Sequence, residues 1–156
     1  MTYKGIGIHI KTADFAASKK FYDALGFPQV FAYGPEEAVK EAYRGATYDT
    51  GAGKLEIADG HRAVKPGVFK ERIGSSKMSL MIPIDDVEAF LARLKKADIV
   101  PAVLPRHYYW GTIEVVVKDP DGVVLVFIAP YDASVARQIG ADETYGSAES
   151  LPGTVN

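Results

Sequence analysis

Residues 8–27 read IHIKTADFAASKKFYDALGF, and their pattern decides the fold. Residues 5–10 alternate small or polar with apolar side chains and stop at Lys11, the period-two signature of a strand with one buried face. Thr12-Ala13-Asp14 then offers a helix start. Asp14 is the expected N-cap, because a short carboxylate side chain accepts from the open amides of the first turn. Phe15, Ser18, Phe21, Tyr22 and Leu25 follow at helical spacing, and Gly26 closes the helix at its C-terminal end. Phe21 and Tyr22 sit on the apolar stripe and are assigned to packing. Residues 27–32 make a second strand.

Working outward, Gly34-Pro35-Glu36-Glu37 has the composition of a helix entry, with Pro in the first turn and acids at the positive end of the dipole. Residues 36–44 are therefore either a short helix or an irregular lead-in to the next strand. Residues 46–50 and 54–58 flank Gly51-Ala52-Gly53 as a hairpin. Residues 59–76 are polar, with Pro66, Gly67 and Gly74, and read as a connection. The pattern then restarts in MSLMIPIDDVEAFLARLKKA, residues 78–97. A strand over 77–84 leads into an Asp85-Asp86 cap and a helix with the stripe Val87, Phe90, Leu91 and Leu94. Residues 99–104, beside Pro101 and Pro105, form a short strand. In GTIEVVVKDPDGVVLVFIAP, residues 111–130, strands over 112–118 and 123–129 are joined by the Asp119-Pro120-Asp121-Gly122 turn. Residues 132–156 are a polar C-terminal tail with at most one weak helix.

The order is β-α-β-β-β, a linker, then β-α-β-β-β, with the two helix caps about half a chain apart. The expected fold class is α+β, a single domain over residues 1–131 with module one at about 4–60 and module two at about 77–131. Helices on one face of a sheet leave the other face for a partner or a ligand.

Composition narrows the function. Of 156 residues, 47% are apolar and 24% charged, and the formal net charge is −2. No basic excess exists to release counterions from DNA or RNA, so nucleic-acid binding is disfavoured. The absence of cysteine removes disulfides, thiolate metal sites and cysteine nucleophiles. No apolar stretch reaches the roughly 20 residues of a membrane helix, and MTYKGIGIHIK lacks the pattern of a secretory signal. A soluble, cytoplasmic protein with no membrane partner is the default expectation. No dinucleotide, Walker or nucleophile-elbow motif occurs, and Gly51-Ala52-Gly53 lacks the following helix of a phosphate loop.

Taken in this order and at these separations, the three quoted segments resemble the glyoxalase, bleomycin-resistance and extradiol-dioxygenase superfamily, the vicinal oxygen chelate group. The likeness covers about residues 5–131. It implies two βαβββ modules forming a cupped, half-open mixed sheet with helices on the outer face, and a homodimer. It also implies metal-ligand positions at Gly7, Glu56, Ser79 and Val126. Of these only Glu56 could serve as a ligand, whereas a divalent ion usually takes three N, O or S ligands. The resemblance is therefore to members that lack the usual ligands, and no metal or other cofactor is expected.

His9 lies two residues after Gly7 and shares its face of the strand. It is either a hydrogen-bonded pocket residue or a general base. A relocated metal site would take His9 and Glu56, with Glu114 as a third donor if its strand faces inward. Glu56 is either an ordinary solvent-facing carboxylate or, facing the cup, an acid, base or acceptor. Arg106-His107-Tyr108-Tyr109-Trp110-Gly111 precedes the seventh strand and is the densest aromatic patch. Tyr108, Tyr109 and Trp110 either stack on a planar ligand, with Arg106 meeting an anionic group, or pack into the core or a dimer interface. Val124, Val126 and Ile128 share one strand face and would make a dry wall. His61 and Arg62 fall in a polar loop and are assigned to solvent. The expected function is binding of a small planar or hydrophobic molecule in a mainly metal-free cup. Glu56 and His9 are the catalytic candidates, and Arg106, Tyr108, Tyr109 and Trp110 the ligand-binding ones. The alternative is a superfamily lyase, isomerase or dioxygenase-like enzyme using a relocated metal or a Glu56/His9 acid–base pair.

Overall fold

The structure, a computed structural model, describes residues 7–60, 79–108 and 111–141. His61, Arg62, Tyr109, Trp110 and residues 142–156 lie outside the described residues. The fold is α+β, with two βαβββ modules in the expected order. The described residues divide into two compact units, 7–60 together with Asp119–Gly122, and 79–118 with 123–141.

Unit 1 is built from β1 (Gly7–Lys11), α1 (Phe15–Leu25), β2 (Gln29–Tyr33), β3 (Gly45–Asp49) and β4 (Lys54–Ala58). Its sheet has the order β1-β4-β3-β2, with β1 parallel to β4 and the other pairs antiparallel. Asp14 caps α1 by accepting from the Ala17 amide at 3.0 Å, and Gly26 ends it at φ 83°. The helix lays Ser18, Tyr22 and Leu25 on the sheet. There the Tyr22 ring meets Tyr48 at 5.9 Å, above buried Leu55 and Ile57. The Asp119–Gly122 turn packs onto the start of α1. Asp121 accepts from the Ala13 amide at 2.8 Å and the Ser18 hydroxyl at 3.1 Å. The second strand starts two residues later than expected, because Phe27 packs against Tyr22 and Pro28 has no amide to give a ladder. Residues 36–44 follow the lead-in alternative rather than the helical one: Val39 bridges to Tyr33, and the Gly34 amide bonds to the Val39 carbonyl at 3.0 Å.

Unit 2 contains β5 (Ser79–Pro83), α2 (Val87–Lys96), β6 (Val103–Tyr108), β7 (Thr112–Lys118), β8 (Val124–Pro130), α3 (Ala133–Ala136) and β9 (Gly140–Ala141). The sheet order is β5-β8-β7-β6-β9, which repeats the order of unit 1 with one strand added. Asp86 caps α2 through the Ala89 amide at 2.8 Å, and Phe90 stacks on Phe127 at 4.1 Å. Leu125, Phe127, Ile113, Val115 and Val117 are buried and make the core layer against α2.

One strand placement needs correction. The strand expected at 99–104 lies at Val103–Tyr108, so Arg106, His107 and Tyr108 are within a strand rather than in a segment before one. Pro105 cannot donate, and the pairing with β7 is irregular between Val103 and Arg106. It resumes at Arg106 opposite Glu114, where the aromatic residues suit a pleated surface. No helix among the described residues is long and apolar enough to cross a membrane.

Candidate functional site

Since α1 covers one face of the unit 1 sheet, strand parity assigns alternate residues to the other, helix-free face. One row crosses all four strands there: His9 on β1, Glu56 on β4, Thr47 on β3 and Phe31 on β2 are in register. At about 4.8 Å per strand, such a row is roughly 14 Å long, the scale of a small fused-ring molecule. His9, Thr47 and Glu56 are half-buried, and Phe31 is 47% exposed although large and apolar.

The neighbouring row is Lys11, Ala58, Gly45 and Tyr33. The Tyr33 hydroxyl donates to Glu56 Oε1 at 2.7 Å. To do so its ring lies over Gly45. A Cβ at that position would sit 2.1 Å from Tyr33 Cζ, so only a residue without a side chain leaves room. Gly60 makes similar room for Tyr43, where a Cβ would come within 2.8 Å. Phe31 and Tyr33 have ring centres 6.0 Å apart, and Tyr43 stands edge-on to Tyr33 at 5.8 Å. These three rings form an aromatic wall beside a hydrogen-bonded carboxylate. Burial, followed by the bond to Glu56, pushes the Tyr33 phenol well above its ordinary value. Tyr33 is therefore a proton donor, not a phenolate, at neutral pH.

The helix-free face of unit 2 is more apolar. Met81 on β5 pairs with Val126 on β8, and Val126 with Val116 on β7. Met81 is 70% exposed. Toward one end of this face stand Glu114, opposite both Ile128 and Arg106, and Tyr108, opposite Thr112. Glu114 accepts from the Thr112 hydroxyl at 2.9 Å. Opposite charges at directly facing positions, as with Arg106 and Glu114, favour the pairing of their strands.

The structure thus brings His9 and Glu56 into one row, and sets Arg106 and Tyr108 on one strand of unit 2. Tyr109 and Trp110 fall outside the described residues. The metal-ligand positions implied by the resemblance can be tested on their donors. Gly7 has no side chain and pairs with Lys54, and Val126 offers only carbon. Ser79 is a hydroxyl, and the single carboxylate, Glu56, already accepts a hydrogen bond from the Tyr33 hydroxyl. Among the described residues no group of three His, Cys, Asp or Glu side chains is arranged to hold a metal ion. These residues do not fit a divalent ion at the four positions.

Phe31, Tyr33, Tyr43 and Thr47 were not singled out from sequence. Alternation of Phe31 and Tyr33 in one strand is a signal for a shared face. The register that sets them beside Glu56 passes through β3, and no local pattern encodes it.

The family model of the Glyoxalase/Bleomycin resistance protein/Dioxygenase superfamily matches residues 8–127. Among solved structures, the chain is similar to a bleomycin resistance determinant encoded on the transposon Tn5. They share 23% identity over 82% of this chain and 98% of that one, with a TM-score of 0.56. A glyoxalase/bleomycin resistance protein from Catenulispora acidiphila is 19% identical over 81% and 98% of the two chains, at a TM-score of 0.55. A glyoxalase family protein from Enterococcus faecalis is 23% identical over 81% and 96%, at 0.52. No curated protein matches the sequence. At these identities the structural likeness speaks for the fold alone.

Proposed function

Because the chain belongs to the Glyoxalase/Bleomycin resistance protein/Dioxygenase superfamily, we propose that it binds a small planar molecule bearing a hydrogen-bond donor, without a resident metal. The helix-free face of unit 1 is the binding surface in this reading. The observation that supports it is Glu56, half-buried at the middle of a row that ends on exposed Phe31, with half-buried Tyr43 nearby and buried Tyr33 in contact with both rings. Flat aromatic side chains supply contact area, and a few placed polar groups supply orientation. The homodimeric state that the resemblance implies belongs to the same proposal and is read by light scattering.

The test is equilibrium binding followed by fluorescence anisotropy. The probes are proflavine, a planar tricyclic diamine, and unlabelled bleomycin as competitor. Wild-type protein is expected to bind proflavine in the micromolar range. Glu56→Gln should weaken it about 10- to 100-fold, the loss of a hydrogen bond to a charged group. Failure of both probes to bind removes this reading. Elemental analysis of the same protein, before and after incubation with nickel, zinc, manganese and iron(II), tests the metal-free part. One tightly held ion per chain, lost in Glu56→Gln, would overturn it. Trp110→Ala asks separately whether the aromatic segment beyond Tyr108 contributes, and unchanged affinity takes it out of the site.

A second reading rests on the register of His9 with Glu56. An imidazole beside a carboxylate is an acid–base pair able to move a proton at neutral pH. An enzyme of this kind would convert its bound molecule, and both His9→Ala and Glu56→Gln would abolish conversion. A binding protein returns the molecule unchanged.

A further inference from the structure

We infer that Tyr33 is the positioning residue of this surface: its phenol, carried from β2 over the bare backbone of Gly45, fixes the Glu56 carboxylate for the donor group of a planar ligand. The inference rests on the ligand-binding reading for its effect on affinity, and on geometry for the rest.

Three observations carry it. The bridge spans three strands. Tyr33 pairs with Gly45, Gly45 pairs with Ala58, and the Tyr33 hydroxyl reaches Glu56 two residues along β4 at 2.7 Å. The crossing exists only because residue 45 has no Cβ, since any other side chain would strike the phenol carbon that bears the hydroxyl. Tyr33 itself is only 8% exposed and has the edge-on ring of Tyr43 beside it. It offers a ligand little surface of its own, so its hydroxyl works on Glu56. Phenylalanine would fill the same space, and what the hydroxyl adds is the short bond to Oε1. A carboxylate held in one orientation by a neutral donor keeps its acceptor character, so the surface favours planar molecules with N–H or O–H groups over planar anions.

Two measurements on purified protein test this. The first is proflavine affinity, with fluorescein as the planar anion. Tyr33→Phe should weaken proflavine about 3- to 10-fold, less than Glu56→Gln, because the hydroxyl acts on the ligand only by holding the carboxylate. Fluorescein should bind poorly to the wild-type protein. Gly45→Ala displaces the ring and should reproduce the Tyr33→Phe effect; where it fails to fold, Tyr33→Phe decides alone. The second needs no ligand. Alkaline phenolate absorbance, wild type minus Tyr33→Phe, isolates the titration of Tyr33. The same difference taken in the Glu56→Gln background should move toward an ordinary tyrosine. An unmoved titration overturns the bridge. A moved titration with unchanged proflavine affinity in Tyr33→Phe overturns positioning and leaves the ligand-binding reading standing. If even wild type binds no proflavine, the ligand-binding reading fails, while a moved titration still supports Tyr33 as the group that holds Glu56.

Discussion

The Tyr22 hydroxyl donates to Asp119 Oδ2 at 3.0 Å with both side chains out of water, Tyr22 at 0% and Asp119 at 5% exposure. A buried carboxylate is tolerated when several donors share its charge, and Asp119 also accepts from the Asp121 amide at 2.9 Å. Tyr22→Phe keeps the ring packing and removes one donor, so it should cost about 1–3 kcal/mol at neutral pH, read by denaturant unfolding. Its pH dependence has a definite sign. Burial first, then the charge of Asp119 and the bond to it, raise the Tyr22 phenol above its ordinary 10.0. A group raised in the folded state stabilises the fold fully below its unfolded value and loses that contribution as pH climbs toward the folded one. The wild-type advantage over Tyr22→Phe should therefore hold up to about pH 10 and shrink above it. A gap that widens with alkali would contradict this. Tyr22 also marks a limit of sequence reading. Helical spacing assigns it to packing, which is half of its role; its acceptor is 97 residues away, a distance that no local pattern spans.

At the scale of elements, the helices were legible because their end signals are chemical. Asp14 and Asp86 cap through their own side chains, and Gly26 takes the left-handed position that ends α1. The second helix ends differently. Asp98 adopts φ 56°, the only non-glycine with positive φ among the described residues, and the Ile99 amide closes on the Leu94 carbonyl at 2.9 Å. Asp tolerates this conformation less well than Asn or Gly, and its charge lies at the negative end of the helix dipole. Asp98→Asn should therefore stabilise the protein by about 0.3–1 kcal/mol, seen as a raised denaturant midpoint with an unchanged slope. A lowered midpoint would mean that the Asp98 carboxylate makes a favourable contact. Strands were less legible than helices. The strand expected at 112–118 matched, whereas β6 was displaced because Pro101 and Pro105 read as boundaries. The sheet absorbs Pro105 at an irregularity and continues to Tyr108. For the same reason the candidate site was only half legible: Glu56 and His9 stand out as polar residues among apolar neighbours, but Phe31 and Tyr33 become part of it only through register.

Across the whole molecule the repeat governs. Both sheets place the first strand of a module beside its last, parallel, with one helix and two strands between them along the chain, giving β1-β4-β3-β2 and β5-β8-β7-β6. The repeat was visible from the recurrence of cap, stripe and turn. The strand that breaks it was not, since β9 is two residues long, too short for any periodicity; the one weak helix expected in the tail is the single turn α3. Yet the addition has a physical task. The parallel pairing of β9 with Arg106 and His107 covers the edge of β6, which would otherwise present open amides and carbonyls. Val135 and Ala136 of α3 are buried at 6% exposure each. Burying one Val is worth about 1.5–3 kcal/mol, and an Ala methyl roughly 0.8 more. A chain ending at Tyr131 should therefore be about 2–4 kcal/mol less stable than one ending at Ala141, the two differing only in α3, β9 and their flanks. Hydrogen exchange localises the effect: amides of β6 should lose protection in the shorter chain, while those of β3 and β4 lose no more than the global drop requires. Equal midpoints for the two chains would mean that α3 and β9 lie on unit 2 without stabilising it, and that β6 is a competent edge by itself.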